Sequence, residues 1–192
     1  SYELEAVMTA RPAALVNALD ELIRRSQRDM LGAFAVGPTS GTDYLPLGPV
    51  EAMRSGSAHP VPLIIGNNAS EGRLFTRWLK LLPTNEAMIE GLLGGLEPQQ
   101  RERITAAYPG YPDEAACIRL GGDFAFGTAT WQIAEAHSLH APTYRYRYDY
   151  APRALHWSGL GATHATELFA VFDLYRTRFG SMLTAAADGR SA

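Results

Sequence analysis

The sequence predicts an α/β fold in which two parallel strands are separated by a long helical insertion. Residues 61–66 (Val-Pro-Leu-Ile-Ile-Gly) form a continuous apolar run, which is typical of a strand covered on both faces in a parallel sheet. Residues 143–150 alternate aromatic with mostly charged residues and favour a second strand, nearer the edge of the sheet. Residues 84–140, between them, carry mainly helical patterns.

The elements before the first strand are two helices joined by a loop. Residues 12–28 place apolar side chains at helical spacing, and Pro12 suits the first turn. Residues 32–48 are rich in Gly, Pro, Thr and Ser, which predicts a loop. Residues 49–55 then favour a short helix that begins at a proline and ends before Gly56.

A carboxylate follows the first strand directly. Glu71 lies in the tight loop 67–72, ahead of a helical pattern over residues 74–82. A glutamate at this place often serves only the positive end of the helix dipole. It can equally reach a site at the carboxyl edge of the sheet, where open α/β sheets build their sites.

The insertion is predicted to contain several helices. Thr84 and Pro98 are plausible helix starts, residues 109–112 (Pro-Gly-Tyr-Pro) are a break, and Gly121-Gly122 interrupts a later helix. The single cysteine, Cys117, lies in a helical pattern and is expected to be a small buried hydrophobe. One cysteine excludes an internal disulfide.

Two histidines near the end of the insertion have a spacing known from metal sites. His137 and His140 are three residues apart, but no cysteine or acidic pair accompanies them beyond Glu135. An exposed helix end is the preferred interpretation, and we expect neither a metal nor a cofactor.

Composition limits the classes of function. A chain of 192 residues suffices for one domain, and a net charge of −3 gives no electrostatic footprint for nucleic acid. No apolar stretch is long enough to span a membrane. The first residues have neither the basic start nor the apolar run of a signal peptide, which says little about localisation because the true N-terminus is expected elsewhere. We expect a cytoplasmic protein.

The histidine that is the best candidate for proton transfer follows the second strand. Residues 151–161 are predicted to be loop, and His164 stands in the Gly/Ala/Thr-rich stretch after it. A neutral imidazole can take and return a proton near pH 7, although a loop histidine often only bonds loop backbone. Residues 167–179 favour a helix, and residues 181–192 are expected to fray.

Parallel strands would bring the two loops together. If the strands are parallel, their carboxyl ends share one edge, and Glu71 and His164 could meet there as two thirds of a hydrolytic triad. In α/β-hydrolases the chain order is nucleophile, acid, histidine, and here the acid precedes the histidine. No serine of the chain lies in a Gly-x-Ser-x-Gly turn, so the nucleophile is expected upstream.

These motifs, in this order, resemble the C-terminal part of the type-B carboxylesterases, the cholinesterase and para-nitrobenzyl-esterase group. The family's PLLIGTNRDEG-LF is similar to residues 62–75 and its triad glutamate falls on Glu71. Its GA-HG-ELPFVFG is similar to residues 161–173 and its triad histidine falls on His164. The strand Y-YRFDY and a D--F pair, at Asp123 and Phe126, also have counterparts, and the likeness runs from about Phe34 to Phe172.

The resemblance implies the C-terminal part of an α/β-hydrolase fold and a serine carboxylesterase without a cofactor. Residues 1–192 would be a fragment of one domain whose absent N-terminal part carries the serine and is its partner, and the substrate would be a small-molecule ester. Glu167 would support the histidine from behind. An apolar substrate pocket could include Phe75, Trp157 and Phe169, although Phe75 has the spacing of a core residue.

The sequence departs from the family at some motif positions. Alanine stands at residue 165, where the family has the glycine after its histidine, and Asp173 stands where a glycine closes that motif. An alanine there narrows the allowed backbone and could displace the histidine loop.

Two other functions stay open at this stage. A non-catalytic hydrolase-like binding module would keep the scaffold without the upstream serine. A nucleotide-binding doubly wound domain would need a Gly-rich phosphate loop, which Gly66-Asn67-Asn68 is not.

Overall fold

Two parallel strands form the centre of the structure. Strand β1 (Leu63–Asn68) pairs with strand β2 (Thr143–Tyr148), with Leu63 opposite Thr143 and Asn68 opposite Tyr148. The carboxyl ends of both strands therefore lie at the same edge. The predicted α/β arrangement around a parallel pair is confirmed in this computed structural model, which describes residues 2–29, 36–76 and 82–185.

Strand β1 begins and ends two residues later than the apolar run predicted. Pro62 has no N–H to donate to a ladder, and the Val61 N–H donates locally to the His59 carbonyl at 2.9 Å. The expectation that this strand is covered on both faces is wrong for the described residues, because the Ile64 side chain is 73% exposed on a sheet of two strands.

The other elements are helical, and no helix within the described ranges is long and apolar enough to cross a membrane. The helix predicted over residues 74–82 falls mostly on residues 77–81, which lie outside the described part. The helices are α1 (Tyr2–Thr9), α2 (Pro12–Asp29), α3 (Pro49–Arg54), α4 (Glu86–Leu93), α5 (Pro98–Ala106), α6 (Glu114–Gly122), α7 (Thr128–Ser138), α8 (Arg153–Trp157), α9 (Leu168–Val171) and α10 (Arg178–Ala185).

A π-helical segment joins α6 to α7. It spans Asp123–Gly127 and continues the helical path, so the interruption predicted at Gly121-Gly122 is wrong. These two glycines end α6 where it touches other backbone: a Cβ at Gly121 would lie 2.0 Å from the Pro83 carbonyl oxygen, and one at Gly122 would lie 2.8 Å from the Gly72 nitrogen. Gly122 therefore allows close packing against the loop that holds Glu71, and Gly121 allows close packing against Pro83.

We expect Gly121→Ala to lower the free energy of unfolding by about 1–3 kcal/mol, the usual cost of overpacking, because the nearest obstacle is backbone and not a flexible side chain. Urea unfolding followed by circular dichroism measures the change. Gly95→Ala is the matched control, since a Cβ at that residue would have no atom within 4 Å. Equal unfolding midpoints for the two variants would contradict the close-packing explanation.

The insertion has a small core of its own. Ile89 and Leu93 of α4 pack against Cys117 and Leu120 of α6, and all four are buried. The Cys117 thiol donates to the Pro112 carbonyl at 3.3 Å, and burial raises the pKa of that thiol. The predicted role of Cys117 as a small buried hydrophobe is confirmed.

The chain after β2 is more broken than predicted. Residues 151–161 include the short helix α8, which begins after Pro152. The single helix predicted over residues 167–179 is instead α9, a 3₁₀ turn (Leu174–Arg176) and α10. Asp173, at φ 52°, adopts the left-handed conformation that ends α9. Residues 181–185, predicted to fray, belong to α10, and residues 186–192 lie outside the described part.

Candidate active site

The carboxylate of Glu71 is fixed at the end of β1. Its side chain is 9% exposed, and its Oε1 accepts the backbone N–H of Asn68 at 2.7 Å. The Asn68 side-chain amide donates to the same oxygen at 3.2 Å. The turn that follows the strand therefore binds one oxygen of Glu71 and leaves the other, Oε2, for a partner.

That partner is His164. Its Nδ1 lies 2.8 Å from Glu71 Oε2, although 93 residues separate the two in sequence. An ionised carboxylate only accepts hydrogen bonds, so Nδ1 carries the proton and donates it to Glu71. The predicted proximity of the two residues is confirmed, and their role in catalysis stays a prediction.

Three further hydrogen bonds tie the two loops together. The Ser70 N–H donates to the Ala162 carbonyl at 2.9 Å, and the Leu74 N–H donates to Thr163 Oγ1 at 2.9 Å. The Arg73 guanidinium donates to the Gly159 carbonyl at 3.2 Å. The position of His164 relative to Glu71 therefore depends on bonds between the loops as well as on the pair itself.

The histidine loop contains a strained residue. Ala165 has φ 65°, a left-handed conformation that costs a non-glycine residue roughly 1–2 kcal/mol. In this conformation His164 still reaches Glu71, and displacement of the loop by the alanine stays a prediction. The bonds between the loops hold a backbone conformation that glycine would adopt more easily.

The environment favours the protonated form of His164. The hydrogen bond to Glu71 raises the pKa of the imidazole above 6.5, and the charges of Glu71 and Glu167 act in the same direction. Partial burial acts in the opposite direction. In the neutral ring, Nε2 has a free lone pair and can accept a proton. With 38% of its side chain exposed, the ring is open to a reacting group.

Two phenylalanines contact the histidine ring. The Phe126 ring stacks on it with centroids 4.6 Å apart, and the Phe75 ring is tilted at 5.4 Å. Phe126 belongs to the π-helical segment, and single π turns inside helices are frequent at functional sites. The contacts limit the rotation of the imidazole and leave Nδ1 facing Glu71.

The other predicted site residues lie in different surroundings. Glu167 accepts a short hydrogen bond from the Asn68 amide, on the protein side of Glu71. Phe169 packs its ring against Tyr175 at 5.5 Å, and Trp157, on α8, is 74% exposed. Phe75 is 4% exposed and contacts the candidate histidine. The substrate pocket assigned to these aromatic residues stays a prediction.

Asn68 was not identified as a site residue from the sequence. It is 6% exposed and its amide contacts both Glu71 and Glu167. The available signal was an asparagine at the end of an apolar strand, three residues before the acid. Asparagine is common in loops for its turn propensity alone, so its type did not single it out.

The two histidines of the insertion are structural. His137 is 3% exposed, so the predicted exposed helix end is wrong for this residue. Its Nε2 lies 2.8 Å from the Val61 carbonyl oxygen and its Nδ1 lies 3.1 Å from Met53 Sδ. His140 Nε2 instead lies 3.0 Å from the Arg54 carbonyl oxygen. The two rings attach α7 and its end to the segments around α3.

Comparison with known proteins identifies the family and the fold. The sequence model of the carboxylesterase family matches residues 4–188. The chain is 29% identical over 173 residues to the para-nitrobenzyl esterase of Bacillus subtilis (strain 168), covering 88% of this chain and 34% of the relative. It is 32% identical over 126 residues to the fumonisin B1 esterase of Sphingopyxis macrogoltabida, covering 64% and 23%.

A solved structure of a PNB esterase has the same fold. It is 26% identical, with a TM-score of 0.69, over 96% of this chain and 36% of the esterase chain. The fold is that of the α/β-hydrolases. The chain spans about a third of the length of these two esterases, the Bacillus relative and the solved structure.

Proposed function

This chain belongs to the carboxylesterase family, and from that premise we propose that it supplies the acid and the histidine of a serine carboxylesterase. The 2.8 Å contact between His164 Nδ1 and Glu71 Oε2 carries this proposal. It leaves Nε2 as the nitrogen that faces a nucleophile, which is the arrangement of a Ser-His-acid triad. The serine would come from the portion of the protein that precedes this chain.

The reaction is ester hydrolysis through an acyl-enzyme. His164 Nε2 takes the serine proton while the serine oxygen bonds to the ester carbonyl carbon. The tetrahedral intermediate expels the alcohol, and the imidazolium returns the proton to it. Water then attacks the acyl-enzyme with the same proton transfers and releases the carboxylic acid. Glu71 fixes the Nδ1–H tautomer and stabilises the imidazolium formed in each half of the reaction.

We propose further that residues 1–192 are the C-terminal part of a single hydrolase domain. The chain spans about a third of its esterase relatives, and it exposes apolar side chains on β1 and α2, with Ile64 73% and Val16 57% exposed. Exposed apolar surface of this kind usually meets another part of a fold. The upstream portion with the serine would cover it.

The proposed substrates are small carboxylic esters. Two relatives have names that describe ester hydrolysis, para-nitrobenzyl esterase and fumonisin B1 esterase. The Phe126 ring stacked on His164 is partly exposed and apolar, and it suits an acyl or aryl group better than a charged one. The cytoplasmic location and the absence of a nucleic-acid partner stay predictions.

Hydrolysis of 4-nitrophenyl butyrate tests the proposal. The protein with its upstream portion is expected to release nitrophenol and to gain the mass of one phosphonyl group from a fluorophosphonate, a reagent for activated serines. Residues 1–192 alone are expected to do neither, because they lack the nucleophile.

Either of two results would contradict this proposal. A complete protein that takes no phosphonyl group and does not hydrolyse the ester would favour the non-catalytic binding module. Turnover by purified residues 1–192 would show that the nucleophile lies within them.

A further inference from the structure

We propose that Asn68 is a positioning residue that holds the side chains of Glu71 and Glu167 in place behind His164. The inference deepens the proposed function, on which its kinetic consequences rest. It concerns an asparagine that is only 6% exposed and makes no hydrogen bond to the histidine among the described residues. Its effect on the reaction would pass through Glu71.

The amide of Asn68 is used fully. Its Nδ2 donates to Glu71 Oε1 at 3.2 Å and makes a short hydrogen bond to Glu167 Oε2. Carboxylates accept only, so the side of the amide that faces them is the NH₂ group, whose two hydrogens serve one carboxylate each. The Asn68 backbone N–H adds a third bond, to Glu71 Oε1 at 2.7 Å.

These hydrogen bonds offset the repulsion between the carboxylates of Glu71 and Glu167. Two carboxylates that share a small volume repel each other. A displaced Glu71 would no longer present the acceptor that fixes the His164 tautomer. A neutral group with two N–H donors lowers the free energy of both ionised carboxylates at once, and among the side chains of this size only asparagine has two donors without a charge.

Both carboxylates act on the histidine. Glu71 raises the pKa of His164 through its hydrogen bond and its charge, and the charge of Glu167 raises it further. Asn68 therefore holds both of the carboxylates, Glu71 and Glu167, that favour the imidazolium form of His164. Its loss should weaken both effects together, because Glu71 and Glu167 both lose the donor that holds them in place.

The test is Asn68→Ala in the protein that includes the upstream portion. We expect kcat for 4-nitrophenyl butyrate to fall roughly tenfold to a hundredfold, the size of effect that a small misplacement of a reacting group produces. KM should change less than about twofold, because a buried positioning residue makes no uniform contribution to substrate binding. The acid limb of kcat/KM should move to lower pH.

An NMR titration measures the same change without turnover. In ¹⁵N-histidine-labelled protein, with the His164 resonance assigned from its loss in His164→Ala, Asn68→Ala should lower the pKa of His164 relative to the parent. The matched control is Asn67→Ala, which removes an adjacent asparagine whose amide donates to Thr130 Oγ1 at 3.1 Å and touches neither carboxylate. The control should keep the parent pKa and kcat.

A double-mutant cycle separates this role from a merely structural one. With Glu167→Gln only one carboxylate remains for Asn68 to hold in place, so adding Asn68→Ala should cost less than it does in the parent. If Asn68→Ala does not fold, Asn68→Ser leaves a smaller void and one donor, and roughly a tenfold loss of kcat with a lowered His164 pKa is expected.

Several outcomes would overturn the inference: a His164 pKa that is unchanged or raised, a rise in KM at constant kcat, or costs that add in the cycle. Two different measurements distinguish a failure of this inference from a failure of the proposed function. A protein without esterase activity would remove the kinetic readout, while the titration of His164 would still report whether Asn68 controls the two carboxylates.

Discussion

Replacing His164 with alanine is expected to lower kcat for ester hydrolysis by about 10⁴-fold, the upper end of what general acid–base assistance contributes. The serine loses the group that accepts its proton, and the leaving alcohol loses the group that returns it. KM should stay near that of the parent, because the ring acts on the reacting atoms and not on ground-state binding. Steady-state kinetics on 4-nitrophenyl butyrate, with the upstream portion present, measures both constants.

A second histidine serves as the control for this substitution. His156 is exposed on α8, in the same segment after β2, and His156→Ala should keep kcat within about twofold of the parent, as surface substitutions usually have small effects. Activity of His164→Ala within about tenfold of the parent would contradict the assignment, since that is less than the weakest general acid–base contribution.

Replacing Glu71 with glutamine is expected to lower kcat by about 10³- to 10⁴-fold, although the side chain keeps its shape. A glutamine amide can donate to Nδ1, which then becomes the acceptor, so that Nε2 carries the proton and cannot take one from the serine. Loss of the negative charge should also lower the pKa of His164, because the bond to Glu71 is the largest cause of its rise.

The pH profile distinguishes the glutamine variant from a loss of folding. In the parent, the neutral base disappears as pH falls through the raised pKa of His164, so kcat/KM declines there. In Glu71→Gln this decline should occur at lower pH. Glu135→Gln, on the exposed side of α7, is the control and should keep the parent profile. An acid limb that stays at the same pH in Glu71→Gln would contradict the role of Glu71 in raising the pKa of His164.

The central geometry could be predicted from the sequence because it depends on local patterns and one general rule. An apolar run and an aromatic alternation identified both strands, and parallel pairing puts their carboxyl ends together. Glu71 and His164 each follow one of those ends, so their contact follows from topology. No side-chain detail was needed for this step.

The two wrong predictions of helix boundaries have a different physical origin. Gly121 and Gly122 were interpreted as a break because glycine is a poor helix former, but their role is set by the backbone of Pro83 and Gly72, which the helix meets only after folding. The break in the last predicted helix depends on Asp173 in a left-handed conformation, which non-glycine residues seldom adopt.

Asn68 shows the same limit at the site itself. Its importance comes from two carboxylates, of which one, Glu167, lies 99 residues away in sequence. Nothing in the local pattern around residue 68 points to that distant group. The tertiary contact alone distinguishes it from Asn67, an identical residue whose amide bonds elsewhere.

Because the parallel strand pair brings Glu71 and His164 together, part of the segment between them can change without moving either residue. Helices α4 and α5 pack on a core of their own with α6, and the Glu71–His164 bond is made by loops outside those helices. Lengthening a connection costs little, about 0.6 kcal/mol for each doubling of a flexible loop. Insertions or deletions around residues 94–96, where a Cβ at Gly95 would have no atom within 4 Å, are therefore expected to leave the Glu71–His164 contact in place.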